Sequence, residues 1–318
     1  MFRFLVRRIL IAIPVLAGIT LVNFLIINLA PGNPVDMFVN PSMSQADIDL
    51  RKEQLGINDP IYMQYFRWLG NMLQGDFGYS YSSYEPVLQV VSSRIGPTLL
   101  LMGTSLLIAY LIAVPIGILS ARKQYSWMDY TATSFSFLGV SIPNFILGLG
   151  GIYVFALTWK WLPTGGMYTL GKEKTFLDLL QHLIMPACIL ATASAGSMVR
   201  YVRSSVLEVL GQDYLRTARA KGISEFIVIN KHALRNAMIP LITVVGLDVP
   251  LLFGGAVITE QVFQWPGMGQ LMIQSIGSRD YPTLMAINMI AAVAVLTANI
   301  LTDLAYAVAD PTIKYSKR

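Results

Sequence analysis

Apolar residues gather in six long runs, near residues 9–29, 98–120, 131–158, 183–199, 238–262 and 285–308. An α-helix needs roughly 20 such residues to cross the hydrocarbon core of a bilayer. The runs are continuous rather than alternating, so they predict a helical bundle and not a closed barrel. The fold class expected is all-α integral membrane, with six transmembrane helices and a long outer segment between the first two. The chain then divides into a tail with the first span (1–30), an outer segment with short helices (31–97), a core of five spans (98–308) and a tail (309–318). A basic island at 206–237 interrupts the core.

Composition agrees: 54% of residues are hydrophobic and 13% charged, with mean hydropathy +0.57. Basic residues set the orientation. Arg3, Arg7 and Arg8, then Arg122 and Lys123, then seven around the island, then Lys314, Lys317 and Arg318 make fifteen of the 23 Lys and Arg. Both termini are therefore expected on the cytoplasmic side. The net charge of +5 is explained by basic groups facing membrane lipid, with no nucleic acid required. The run from Ile9 to Ile27 exceeds a signal-peptide core and reads as an uncleaved first span. Cys188, the single cysteine, lies in an apolar run and is expected to pack there.

In the outer segment, Ser44 with Asp47 suggests a helix start. After Pro60, Tyr62, Tyr65, Phe66, Leu69, Met72 and Leu73 recur at helical spacing, predicting an amphipathic helix on the membrane surface or packed on its neighbours. Two motifs are decoys. Asp76-Phe77-Gly78 lacks the other parts of a kinase site. Gly166 to Lys172 imitates a phosphate loop, but Glu173 stands where Ser or Thr is required. His182 is expected to be structural.

The third run carries Pro143 and Asn144 among glycines, which favour bending and close helix approach. In the fifth, Asp248 is an expensive intramembrane carboxylate that should face the bundle interior or a wet cavity. With Gly254 and Glu260, these residues are the candidate lining of a pathway. Asn299, Asp303, Tyr306 and Asp310 form one polar stripe on the last helix.

Within the island, Ser224 is placed to cap a short helix, with Glu225 in its first turn. Ile223, Phe226, Ile227 and Asn230 fall on one face as an apolar ridge. Such a helix either lies on the inner leaflet or docks into a groove of a soluble partner. Metal-spaced cysteines, H-E-x-x-H and G-x-S-x-G are all absent from the sequence, so no metal site is expected and an enzyme is disfavoured.

The island, DYLRTARAKG to HALRNAMIP, resembles the EAA loop of permease subunits in bacterial ATP-binding cassette importers, in the version of the peptide and nickel permeases. APGNPVD, NMLQGDFGYS, SIPNFILGL, LPTGG, GGAVITEQVFQWPGMGQL, RDYP and the terminal Asp310-Pro311 extend the resemblance along nearly the whole chain. It implies a type I importer permease fold. It also implies a paralogous permease subunit, two cytoplasmic ATPases that carry ATP and magnesium, an extracytoplasmic substrate-binding protein, and no cofactor on this chain. The family's Glu-Ala-Ala falls on Arg216, Thr217 and Ala218, and its glycine on Gly222. Its later His, Leu, Asn and Pro fall on His232, Leu234, Asn236 and Pro240. Arg216 replaces the motif glutamate, and Arg235 stands where many relatives have proline. The expectation is a bacterial inner-membrane subunit for peptide import, coupled to the ATPases through a helix at about 222–230. A nickel or metal-chelate importer, or an ion-coupled secondary transporter, is the alternative.

Overall fold

The computed structural model describes residues 2–29, 59–238, 244–246, 248–250, 252 and 255–309. Expectations for Ser44, Asp47, Pro240, Gly254, Asp310 and the tail lysines fall outside them. The architecture is helical: α1 (Phe2–Leu29), α2 (Ile61–Leu73), α3 (Val87–Arg122), α4 (Trp127–Ser141), α5 (Asn144–Gly151) continuing as a π-helix, Ile152–Thr158, and α6 (Phe176–Leu210). The island follows as α7 (Asp213–Ala220), α8 (Glu225–Ile227), a second π-helix, Val228–Ala233, and α9 (Leu234–Ala237). Then come α10 (Val257–Val262), α11 (Met268–Gly277) and α12 (Tyr281–Ala309).

Among the described residues, four helices are long and apolar enough to span: Val6–Ile26, Val87–Arg122, Phe176–Leu210 and Tyr281–Leu304. The third apolar run is broken rather than straight, because α4 and α5 meet at 95°. Pro143 explains the break. It has no N–H to donate, and it pushes Ile142 into an extended conformation (φ −90, ψ 122). Part of the fifth run lies outside the described residues; α10 is its C-terminal end.

The chain clusters into two compact units. The first comprises Met1–Gly96 and Leu271–Ile300. Here α2 docks on α1: Tyr65 bonds Thr20 at 2.8 Å, and Phe24 meets the rings of Tyr65 and Trp68 at 5.4 and 5.9 Å. Thus Tyr65 faces inward while Tyr62, Phe66 and Leu73 remain exposed, and the expected apolar face is split. Asn288 donates to Asn23 at 2.8 Å, giving each amide a partner within the apolar run. The buried Asp280 carboxylate accepts from the Ser80 hydroxyl, Ser82 Oγ (3.1 Å), Tyr81 N (3.1 Å) and Thr283 Oγ1 (2.8 Å). It caps the first turn of α12 and pins the 80–83 turn at once. Burial first, then Asp280, pushes the Tyr81 hydroxyl up to about 12. Asp76-Phe77-Gly78 is a turn, with Gly78 N–H donating to Asp76 Oδ1 at 2.9 Å.

The second unit comprises Pro97–Gln270 and Leu301–Arg318. Small residues set its helix packing: a Cβ on Gly196 would sit 2.5 Å from the Ser136 carbonyl of α4, and one on Gly117 2.7 Å from Val202 Cβ. The expected core cysteine is placed differently. Cys188 is exposed on α6, because the buried face there is carried by Leu183, Ala187 and Ile189.

A polar clamp closes the end of this unit. Ser126 caps α4 by accepting from Asp129 N, and the buried Asp129 carboxylate turns to three other donors. Arg203 of α6 grips it through Nε at 2.6 Å and Nη2 at 2.7 Å, Tyr125 N donates at 2.9 Å, and the Ser120 hydroxyl completes the set. One carboxylate thus joins α3, α4 and α6. Lysine at 203 retains the charge but not the planar fork, so R203K is expected to lose roughly 1 kcal/mol. Thermal unfolding in detergent measures it, and an unchanged midpoint refutes the fork's role.

Candidate functional site: a braced basic loop, a knot around Glu260 and a cavity at Asp248

The island folds as a braced unit. Helix α7 ends in a Schellman motif: Gly222 N–H donates to Arg219 O at 2.9 Å and Ile223 N–H to Ala218 O at 3.3 Å. Gly222 has φ +75, the left-handed conformation that suits glycine, and its side-chain direction is open space. The turn is closed from outside by Arg219, whose Nε and Nη2 reach Glu225 at 3.0 and 2.9 Å. The Arg219 hydrogen bonds hold the Glu225 carboxyl below its ordinary value, and Glu225 raises Arg219 in return. The sign follows: a depressed carboxyl supports the brace above its unfolded pKa and releases it as pH falls through the folded one. Both groups are exposed, so E225Q is expected to lower transport by no more than about threefold.

The interior of the loop is apolar. Leu215, Val228 and Ala233 are buried together, with Ala218, Ile223 and the last residues of α6, Val209 and Leu210, packed around them. A second cluster carries this onto the transmembrane helix, where Val202, Val206 and Ala237 are buried with Leu234 against them. Ser205 Oγ donates to Ala237 O at 2.9 Å. Loop and helix end share one core.

The expected site residues distribute as follows. Gly222, Ala218 and Leu234 shape or fill the loop. Phe226 and Ile227 are exposed, 69% and 44%, on its outer surface. Arg216 pairs with Asp213 at 3.4 Å with both side chains in solvent, and Thr217 bonds Asp213 O at 3.1 Å. His232 is half-buried, and its carbonyl accepts from Tyr214, whose hydroxyl takes a bond from Asn236 at 2.8 Å. Arg235 falls within α9.

Two expectations differ. Ser224 occupies the N-cap, but its side chain makes no capping bond; its carbonyl instead takes the amides of Ile227 and Val228 at 2.9 and 3.0 Å. Ile223 leaves the apolar ridge because the Schellman motif turns it inward onto the cluster of Leu215, Val228 and Ala233. Leu215, Tyr214 and Ser205 were not singled out in the sequence. Leu215 could have been found as the one apolar residue buried within the charged α7.

Away from the loop, Glu260 is fully buried. It accepts from Thr98 Oγ1 at 2.9 Å and from Gln270 N at 3.0 Å, while Thr98 Oγ1 accepts from Met268 N at 2.7 Å. Gly267 and Gly269 lie against the carboxyl group. Trp265 is fully buried beside Leu101 and Leu183 and donates Nε1–H to Pro97 O at 2.9 Å. Gly166 N–H takes the Phe263 carbonyl at 2.7 Å. The LPTGG and QVFQWPGMGQ segments thus tie to each other and to α3 in one knot, and Gly166, part of the false phosphate loop, serves that tie.

Asp248 lines a cavity of about 380 Å³ with Ser194, Ser197 and Tyr201 among its neighbours, and it accepts a hydrogen bond from the Tyr110 hydroxyl of α3. Pro143, exposed, and Asn144, half-buried, stand at the α4–α5 break. They are not in the lining of this cavity, nor is Glu260.

Comparison with known proteins gives concordant results. Residues 113–315 match the family described as "Binding-protein-dependent transport system inner membrane component", and residues 1–102 match its N-terminal counterpart. The chain is 48% identical over 316 residues to the oligopeptide transport system permease protein AppB of Bacillus subtilis, covering 99% of this chain and 100% of the relative. It is 46% identical to a putative peptide permease protein of Brucella suis, covering 99% of each chain. It is 38% identical to the glutathione transport system permease protein GsiC of Escherichia coli, covering 99% and 100%. Among solved structures, the inward-facing MetNI methionine ABC transporter aligns with a TM-score of 0.57 at 17% identity, over 71% of this chain and 99% of that one, a likeness of fold. The all-α architecture, the braced island and these matches together place the chain in the binding-protein-dependent transport system inner membrane component family, the multi-pass permease subunits of ATP-binding cassette importers.

Proposed function

We propose that this chain forms half of the translocation pathway of an ATP-driven peptide importer and receives force from a cytoplasmic ATPase through its 213–237 loop. The observation that carries the reading is the shared core of loop and α6. Leu215, Val228 and Ala233 pack on Val209 and Leu210, so a load applied at Phe226 and Ile227 reaches a 35-residue helix without an intervening flexible linker. Differential grip on these two side chains in two ATPase states is enough to bias two arrangements of the spans.

The names of its relatives supply the substrate class, since the oligopeptide permease AppB and the Brucella peptide permease match over 99% of the chain. In this reading a paralogous permease completes the pathway, two ATPases bind ATP and magnesium on the cytoplasmic side, and an extracytoplasmic binding protein delivers peptide. The chain crosses the bacterial inner membrane six times with both termini inside, as its basic residues favour. Arg216 and Thr217, exposed beside Gly222, border the contact. The Glu260 knot acts as a scaffold at the outer end.

The test is reconstitution of the chain with a paralogous permease, ATPase subunits and a substrate-binding protein. Peptide uptake into proteoliposomes is expected to require ATP, and the ATPase subunits are expected to copurify. Uptake driven by an ion gradient without ATP overturns the reading. A change of Phe226 to Asp is expected to lower copurification of the ATPase while leaving this chain in the membrane.

A further inference from the structure

We infer that the Asp248 cavity is a binding subsite for the ammonium group of the transported peptide, an inference that rests on the peptide-import reading above. A cavity of about 380 Å³ is lined by Asp248 together with Ser194, Ser197, Met198, Tyr201 and Val244. Its size lies within the range of small-ligand sites. It accommodates a peptide terminus rather than a whole folded segment.

Three features select the chemistry. Ser194, Ser197 and Tyr201 are exposed on α6, three and four residues apart, so they share one helical face that is polar within an apolar span. Polar groups on such a face belong to a wet path and not to lipid. Second, Asp248 Oδ2 is occupied by the Tyr110 hydroxyl, which fixes the carboxylate's direction, and among the described residues no other hydrogen bond takes up Oδ1, which is left for a ligand. Third, the donor set is one carboxylate with neighbouring hydroxyls. That arrangement suits an ammonium with three N–H donors, whereas a divalent transition metal calls for imidazole, thiolate or several carboxylates.

The site also has a position suited to transit. Tyr110 is twelve residues from Arg122, which ends α3, or roughly 18 Å along the helix, within the hydrocarbon depth of about 30 Å. A single carboxylate held by one hydroxyl can attract a cation entering the path, yet releases it once water or a further site competes.

The experiment uses the reconstituted importer, a pool of di- to pentapeptides and the same pool N-acetylated, with vesicle contents read by mass spectrometry. Wild type is expected to favour free over acetylated peptides. D248N keeps the acceptor for Tyr110 and the side-chain shape. It is expected to lower uptake of free peptides about tenfold or more and to erase the preference, while ATPase activity stimulated by the binding protein persists; D248E is expected to restore the preference. If D248N imports free peptides at the wild-type rate with the preference intact, the subsite is refuted and the peptide reading stands. If wild type imports no peptide with ATP present, the peptide reading fails and the subsite with it.

Discussion

Replacing Gly222 with valine is expected to lower peptide uptake by roughly tenfold or more while ATP hydrolysis by the partner subunits continues. Gly222 has φ +75, where an ordinary residue costs about 1–2 kcal/mol and a β-branched one is an outlier. A Cβ there meets nothing within 4 Å, so the strain is relieved by moving backbone and not by displacing a neighbour. The backbone that moves is the Schellman turn and, with it, the seat of Phe226 and Ile227. A shift of about 1 Å in a working contact is worth up to roughly a hundredfold in rate. Alanine at 222 is expected to fall between, because it tolerates the left-handed region better than valine. Membrane insertion is set by the apolar spans and should be unaffected. Uptake and ATPase activity measured side by side decide it: normal coupling in the valine variant removes Gly222 from the coupling machinery.

A second large effect is expected at the knot around Glu260. Glu260→Ala removes the acceptor of two buried donors, Thr98 Oγ–H and Gln270 N–H. Each unsatisfied group costs about 1–3 kcal/mol, so the loss is roughly 2–6 kcal/mol before any cavity term. The detergent-solubilised subunit should show a fall in unfolding midpoint of roughly 5–15 °C. Glu260→Gln keeps the shape but points a donor where a donor already stands, so part of the loss should remain. Gly267→Ala should resemble the alanine variant, since its Cβ would enter the Glu260 carboxyl group. A midpoint within a degree of wild type for both alanine variants would show that the knot carries no stability.

The four spans found among the described residues were legible because a 20-residue apolar run has few soluble uses and a bilayer selects for it. Gly222 stood out only through the family resemblance, and its left-handed conformation (φ +75) came from the structure. What escaped were partners fixed by tertiary contact. Asp129 and Arg203 read as unrelated charges near span ends, 74 residues apart, and only the packing of α4 on α6 makes them one clamp. Glu260 read as a pathway group because a carboxylate near an apolar run suggests transport; nothing local shows that Thr98, 162 positions earlier, supplies its bond. The 95° break was readable as a proline, whereas its angle depends on what α5 packs against. The island's apolar ridge was misassigned at Ile223 because helical spacing was extended across a turn that reverses the chain.

The Asp129–Arg203 clamp also has a consequence for biogenesis. At 5–20 residues per second, ribosomes finish Arg203 about 4–15 s after Asp129. Throughout that interval the carboxylate has only Ser120 and Tyr125 for company, both made before it. A half-satisfied charge resists the hydrocarbon, so early burial of the start of α4 is disfavoured before Arg203 has been made. The clamp that joins α3, α4 and α6 is therefore among the contacts that form only after the helix leading into the basic loop has been made.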